Sequence, residues 1–276
     1  MRKLRRGSLP AGVAAALTLA SIASGQPPPN APLPRGADQT ARVLVETTAR
    51  LRTEIDAWRA AGQPNPPRDV TLDALYQQRI YRLVSHNTRL ARATFKLLPL
   101  AVSRFARDVV VAHRELVAIT PPLKPSAIRV GPAAPPTDLL RWYHEAERRF
   151  AIPWRVLAAV NFVESAFGKL RSASAAGAQG PMQFMPSSWR TYGLGGDVHD
   201  PHDAILGAAN YLRAAGGRRD IRRALHAYNP SGRYVDAVLR YTREIGADLD
   251  NFYDLYSWQV YVKTASGFVR LTGPGL

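Results

Sequence analysis

The sequence predicts a mainly α-helical chain, and three observations carry that expectation. Leu44, Thr48, Leu51, Ile55 and Trp58 recur at alternating steps of four and three, which draws one stripe on a helix. Prolines punctuate the chain as helix boundaries do: Pro99 and Pro153 head apolar-periodic stretches, and Gly62-Gln63-Pro64-Asn65-Pro66-Pro67 follows one. Strand-like alternation is confined to residues 258–271, around Ser266-Gly267, where a hairpin is expected. An apolar share of 46 % is enough to build a core.

The elements follow in order. Residues 1–25 have the layout of an export signal: a basic start with Arg2, Lys3, Arg5 and Arg6, an apolar Ala-rich run, and small residues at Ala23-Ser24-Gly25. The run is short for a bilayer span, so the segment reads as cleaved, with an uncleaved anchor as the alternative. Residues 26–37 are proline-rich and read as a stiff spacer. Residues 38–120 read as an amphipathic helical region, with a second helix over 72–86 and a third from Pro99. That third helix places Leu98, Ala101, Val102, Phe105, Val109 and Ala112 on one side. Residues 121–136 hold prolines at 121, 122, 125, 132, 135 and 136 and read as a linker.

Residues 137–250 read as a second helical domain. Thr137 is the expected cap of a helix over 138–150. Pro153 opens the next, which runs through Val156, Val160 and Val163 to Glu164. A polar loop over 171–179, a helix from Pro186, a loop over 193–202 and helices over 203–212, 219–227 and 234–245 complete it. Residues 251–276 form the tail.

The formal net charge is +16, and loss of the four basic residues named above leaves +12. Such a charge attracts polyanions: nucleic acid, anionic headgroups or acidic wall polymers. The basic residues are spread rather than clustered with stacking aromatics, and the export signal argues against nucleic acid. With no cysteine, disulfides, thiol catalysis and cysteine-held metals are excluded.

Glu164 is the residue that points to chemistry. It ends the apolar stretch Val160-Asn161-Phe162-Val163, close to a helix C-terminus. Burial and the helix dipole both disfavour its charged form, raise its pKa and keep a proton available near neutral pH, as a general acid requires. Asp197, His199, Asp200, His202 and Asp203 offer metal-ligating atoms, yet the segment reads as a polar loop whose Asp203 caps a helix, and no metal or other cofactor is expected.

From about residue 139 to 245 the chain resembles the lysozyme-like lytic transglycosylases that cleave bacterial peptidoglycan. Four segments carry the resemblance in order: Glu164-Ser165, Ser174 through Gly180-Pro181-Met182-Gln183-Phe184-Met185-Pro186, Asp203-Ala204-Ile205 with Ala208-Ala209-Asn210-Tyr211-Leu212, and Ala227-Tyr228-Asn229. Pro181 stands where many members have Leu, and Asn229 is followed by Pro-Ser-Gly rather than a Gly-rich turn. Both variants resemble the Gly-Pro-Met-Gln-Phe branch.

The resemblance implies a lysozyme-like α-helical catalytic domain preceded by a helical N-terminal region. It implies Glu164 as general acid and then base at the MurNAc–GlcNAc bond, with the substrate's N-acetyl group assisting and its 6-hydroxyl attacking, so that 1,6-anhydromuramoyl ends form. It places Ser174 on the acetamido sugar and Met182 on the cleft wall, next to Phe184. Gln183 can both donate and accept, as an N-acetyl amide needs. Tyr228 offers a ring and a hydroxyl near Glu164, and Asn229 either meets substrate or shapes its turn. Ser165 either bonds the helix end or orients Glu164. The expected partners are glycan strands of peptidoglycan and anionic wall polymers, outside the cytoplasm. A hydrolytic muramidase on the same fold and a non-catalytic glycan-binding module are the alternatives.

Overall fold

The computed structural model describes residues 25–276. The expected export signal over 1–25 lies outside these, apart from Gly25. The described chain is mainly helical, with eleven α-helices and one two-stranded sheet.

The N-terminal helices are α1 (Ala37–Ala61), α2 (Arg68–Ser85), α3 (Thr88–Leu97) and α4 (Leu100–Ile119). The α1 stripe buries Leu44, Leu51, Ile55 and Trp58, with Thr47 rather than Thr48 fully covered. Gly62, at φ 63°, ends α1 in the left-handed conformation that glycine adopts without penalty. Helix α3 is an addition to the expected set: Asn87 caps it by accepting from Leu90 N at 2.9 Å. Pro99 caps α4 from outside instead of opening its first turn, and Ala101, expected on the inner face, is exposed.

Helix α5 (Pro136–Phe150) starts a residue before Thr137, so Pro136 supplies its first turn and Thr137 is no cap. Then come α6 (Trp154–Ser165), α7 (Pro186–Tyr192), α8 (Pro201–Ala214), α9 (Ile221–Tyr228), α10 (Gly232–Ala247) and α11 (Leu249–Ser257). Asp200 caps α8, accepting from Asp203 N at 3.0 Å. Asp203, the expected cap, instead accepts from Asp197 N at 2.9 Å and ties the preceding loop to the helix. Helix α11 was also not expected. Its residues 251–257 are all buried. The tail forms the expected hairpin, β1 (Tyr261–Thr264) against β2 (Gly267–Arg270), antiparallel with Thr264 opposite Gly267.

One apolar core runs through both halves. Helix α1 meets α11 where Trp58 packs edge-on against Tyr253 at 5.1 Å. Helix α4 lies along α10: Asp108, nearly buried, accepts from Arg240 at 2.6 Å and from Arg243 at 2.5 Å. The hairpin is fastened to α4, since Lys263 Nζ donates to the carbonyls of Val117 (3.0 Å) and Thr120 (2.9 Å) at the helix C-terminus. The segment expected as a spacer does not stand off the body. Ala31 and Pro34 are buried, Tyr76 donates to Pro32 O (3.0 Å), and Arg79 donates to Pro29 O (3.1 Å). A proline-rich segment builds no regular backbone ladder, so its carbonyls remain open to side-chain donors.

Candidate active site

The site forms where the C-terminus of α6 meets the Gly180–Phe184 turn and the start of α10. Helix α6 is apolar on almost every side, burying Val156 to Val160, so it threads the core and delivers its last turn to the surface. It stops because Ala166, Phe167 and Gly168 all adopt positive φ, at 50°, 63° and 86°. Two of these carry a Cβ, so the backbone stores strain directly after Glu164.

The turn is bolted to this helix end. Ser165 Oγ and Asn161 Nδ2 donate to Pro181 O at 2.5 and 2.8 Å, and Gly168 N donates to Ser165 Oγ at 2.8 Å. Tyr143 holds Asn161 from behind, donating to Oδ1 at 2.6 Å. Gln179 and Phe184 exchange two backbone hydrogen bonds of 2.8 Å across the turn. Gly180, at φ 73°, admits no side chain, since a Cβ there would lie 1.8 Å from Val198 O.

Glu164 is half-buried and lines a cleft. Burial raises its pKa from 4.5 to about 7, and the Tyr234 hydroxyl, donating to Oε1 at 2.7 Å, pulls back against that rise. Tyr234 is itself buried and its pKa is pushed well up, so it remains a donor. Beside Glu164 lies a cavity of about 200 Å³. Its walls include Phe162 and Val163 of α6, Tyr241 of α10, Gln78 and Arg82 of α2, His113 of α4 and Tyr261 of the hairpin. Among its lining residues Glu164 is the one carboxylate.

The other expected site residues divide into two sets. Ser165 (2 % exposed), Met182 (0 %) and Phe184 (3 %) are buried, so their side chains bond and pack within the body and Met182 does not stand on an open cleft wall. Ser165 ties the helix end to the turn. Met182 fills the core while its carbonyl accepts from Tyr228 Oη at 2.6 Å. Phe184 packs edge-on against Trp189 at 5.1 Å and Tyr228 at 5.8 Å. The second set reaches the surface. Ser174 is exposed and closes its own loop, accepting from Ala178 N at 3.0 Å. Gln183, at φ 49°, donates to Gly180 O at 2.9 Å. Tyr228 and Asn229 are half-buried, and the Asn229 amide makes no hydrogen bond among the described residues.

Sequence reasoning missed Tyr234 and an aromatic row. Tyr192 meets Tyr211 at 4.8 Å, Tyr211 meets Tyr228 at 5.2 Å, and Trp189 adjoins them, all partly exposed. Such rings suit sugar faces. The ligand atoms of Asp200, His202 and Asp203 lie within 4.8 Å of one another, but His202 is engaged with Glu145 at 3.0 Å and both acids cap backbone N–H groups.

A helical domain that offers one carboxylic acid beside a row of partly exposed rings has the build of a carbohydrate cleft. Comparison with known proteins narrows this further: residues 142–250 match the family model described as "Transglycosylase SLT domain", so this stretch is similar to SLT-type transglycosylase domains. A curated relative, "Membrane-bound lytic murein transglycosylase F 1" of Alkalilimnicola ehrlichii, is 28 % identical over 144 residues. The alignment covers 47 % of this chain and 29 % of that protein, so the chain spans well under half of the relative's length. No solved structure matches significantly. Among the described residues no helix is long and apolar enough to cross a membrane.

Proposed function

We propose that the protein is an exported lytic transglycosylase that cleaves the β-1,4 bond between MurNAc and GlcNAc in peptidoglycan and leaves 1,6-anhydromuramoyl ends. The single observation that carries this reading is Glu164: an acid with a pKa of about 7, held by Tyr234, with no second carboxylate lining its cavity. Two-carboxylate glycosidases set a second acid across the bond. One acid fits chemistry in which the substrate supplies the other group.

Protonated Glu164 gives its proton to the glycosidic oxygen as that bond breaks. The N-acetyl carbonyl of the muramoyl sugar stabilises the developing positive charge at C1. The Glu164 carboxylate, still bonded to Tyr234, then accepts the proton of the 6-hydroxyl as that oxygen bonds to C1, and the acid is regenerated. Asn229, with its free amide, Gln183, Ser174 and the exposed edge of Tyr228 are assigned to holding the sugars. The basic surface has a partner in the anionic wall and its polymers.

The test is mass spectrometry of intact peptidoglycan digested with residues 26–276, beside Glu164→Gln. Anhydromuramoyl ends from the native chain alone are the expected result. Reducing ends would make it a hydrolytic muramidase. Binding without soluble product from the native chain would make it a glycan-binding module.

A further inference from the structure

Arg82, in the last turn of α2, is a half-buried cation that pairs with no anion. Among the described residues it pairs with no carboxylate, and its one side-chain hydrogen bond runs from Nη1 to His113 Nε2 at 2.9 Å. Its Nη2 is buried with no partner. The rings of Tyr261 and Phe268 lie 4.1 and 4.4 Å from its guanidinium carbon. They compensate part of the charge but accept no N–H in the plane of the fork. The contrast within the molecule is sharp: Arg50 bonds Asp73, and Arg240 and Arg243 share Asp108.

His113 adds a second orphan. An arginine only donates, so Nε2 accepts and the ring proton sits on Nδ1. That Nδ1 is also buried with no partner. Burial and the Arg82 charge hold His113 neutral, its pKa pushed down to about 3, while Arg82 at about 10 stays charged at neutral pH. Two donors, one of them on a permanent charge, therefore have no acceptor within hydrogen-bond distance. Unmade hydrogen bonds of this kind are costly, and a bound anion removes the cost. The pair is held rigidly, because Arg114 of α4 donates to the α2 carbonyls of Ser85 (2.7 Å) and Val84 (3.1 Å). Both residues line the cavity of Glu164. A second cavity, bordered by Leu33, His86 and Phe268, is also lined by Arg82.

We infer that Arg82 and His113 form a carboxylate-binding subsite that receives the peptide stem of the glycan substrate beside Glu164. This rests on the peptidoglycan reading of the site. The planar fork of arginine matches a carboxylate. A stem peptide carries free carboxylates and hangs from the muramoyl sugar whose bond Glu164 would protonate. The lactyl carboxylate of a stem-free strand is the other source of the same chemistry.

Binding is measured first, without turnover: residues 26–276 bearing Glu164→Gln are titrated with an acidic Ala–Glu stem dipeptide and with its amidated form. Turnover by the native chain is then compared on strands with free stems, amidated stems and no stems. The expected result is a preference for the free acid of about tenfold or more in both assays, lost in Arg82→Gln. Equal treatment of free and amidated stems by the native chain would overturn the subsite, even if Arg82→Gln failed to fold. Stem-free strands cut as well as free-acid stems would move the carboxylate to the lactyl group and overturn the stem assignment. Peptide bound by the Glu164→Gln chain with no strand cut by the native one would keep the subsite and sink the catalytic reading. Strands cut without discrimination would do the reverse.

Discussion

Replacing Glu164 by Gln should stabilise the fold, and by an amount that depends on pH. The side chain titrates at about 7 in the folded chain against 4.5 when unfolded. A raised folded pKa means the folded state holds its proton while the unfolded state releases it. The cost is absent below pH 4.5, grows as pH rises towards 7, and is complete above that. Two and a half units at 1.36 kcal/mol each come to about 3 kcal/mol. Gln keeps an oxygen for the Tyr234 hydroxyl but adds N–H groups with no assigned acceptor, which returns about 1 kcal/mol. Glu164→Gln is therefore expected to be more stable than its parent by about 2 kcal/mol at pH 8, with the gap closing by pH 4. Urea unfolding of both chains at pH 4, 6 and 8 measures it, since other titrations cancel in the difference. A gap independent of pH, or one that narrows towards pH 8, would refute the claim that burial keeps this acid protonated.

Tyr234→Phe removes the donor that favours the charged form, so the alkaline limb of the kcat/KM profile should move up by about one unit; a limb that stays put refutes the role. Ser165→Ala unties Pro181 O and Gly168 N and should cost about 1–3 kcal/mol in urea unfolding while leaving KM unchanged. Gly180→Ala forces a Cβ onto Val198 O, so it should cost several kcal/mol and lower kcat through misplacement of the turn, checked by thermal unfolding and turnover. Asp108→Ala removes the anion that Arg240 and Arg243 share, and because both arginines are partly solvated it should cost about 1–2 kcal/mol, seen in urea unfolding.

The helical class and the acid were legible because both have local signatures: a 3.6-residue stripe, and a carboxylate closing an apolar run. Helix α11 was not, since a segment buried on all sides shows no contrast between faces. Helix α3 is ten residues long, too short for its periodicity to speak, although Asn87 marks its start. Tyr234 acts on a residue 70 positions away, a pairing that no local pattern encodes. The same holds for Arg82 and His113, on separate helices. Ser165, Met182 and Phe184 sit in motifs that surround the cleft, but a motif does not say which side chains turn inward. Here Met182 and Phe184 turn into the core and anchor the turn, and Ser165 ties it to the helix end.

The packing of α4 along α10 has a consequence for how this protein can be cut or borrowed. Tyr234 stands in the first turn of α10, and the same helix leans on α4 through Asp108 farther along. A piece excised at 142–250, where the family match begins and ends, would lose α4, all but the first two residues of α11 and the strand that closes the cavity. It would be expected to aggregate, or to keep Glu164 with a wandering donor and a misplaced pKa. The recognisable cassette is thus not a transplantable one: its acid is tuned by residues that a domain boundary drawn from sequence similarity would leave behind.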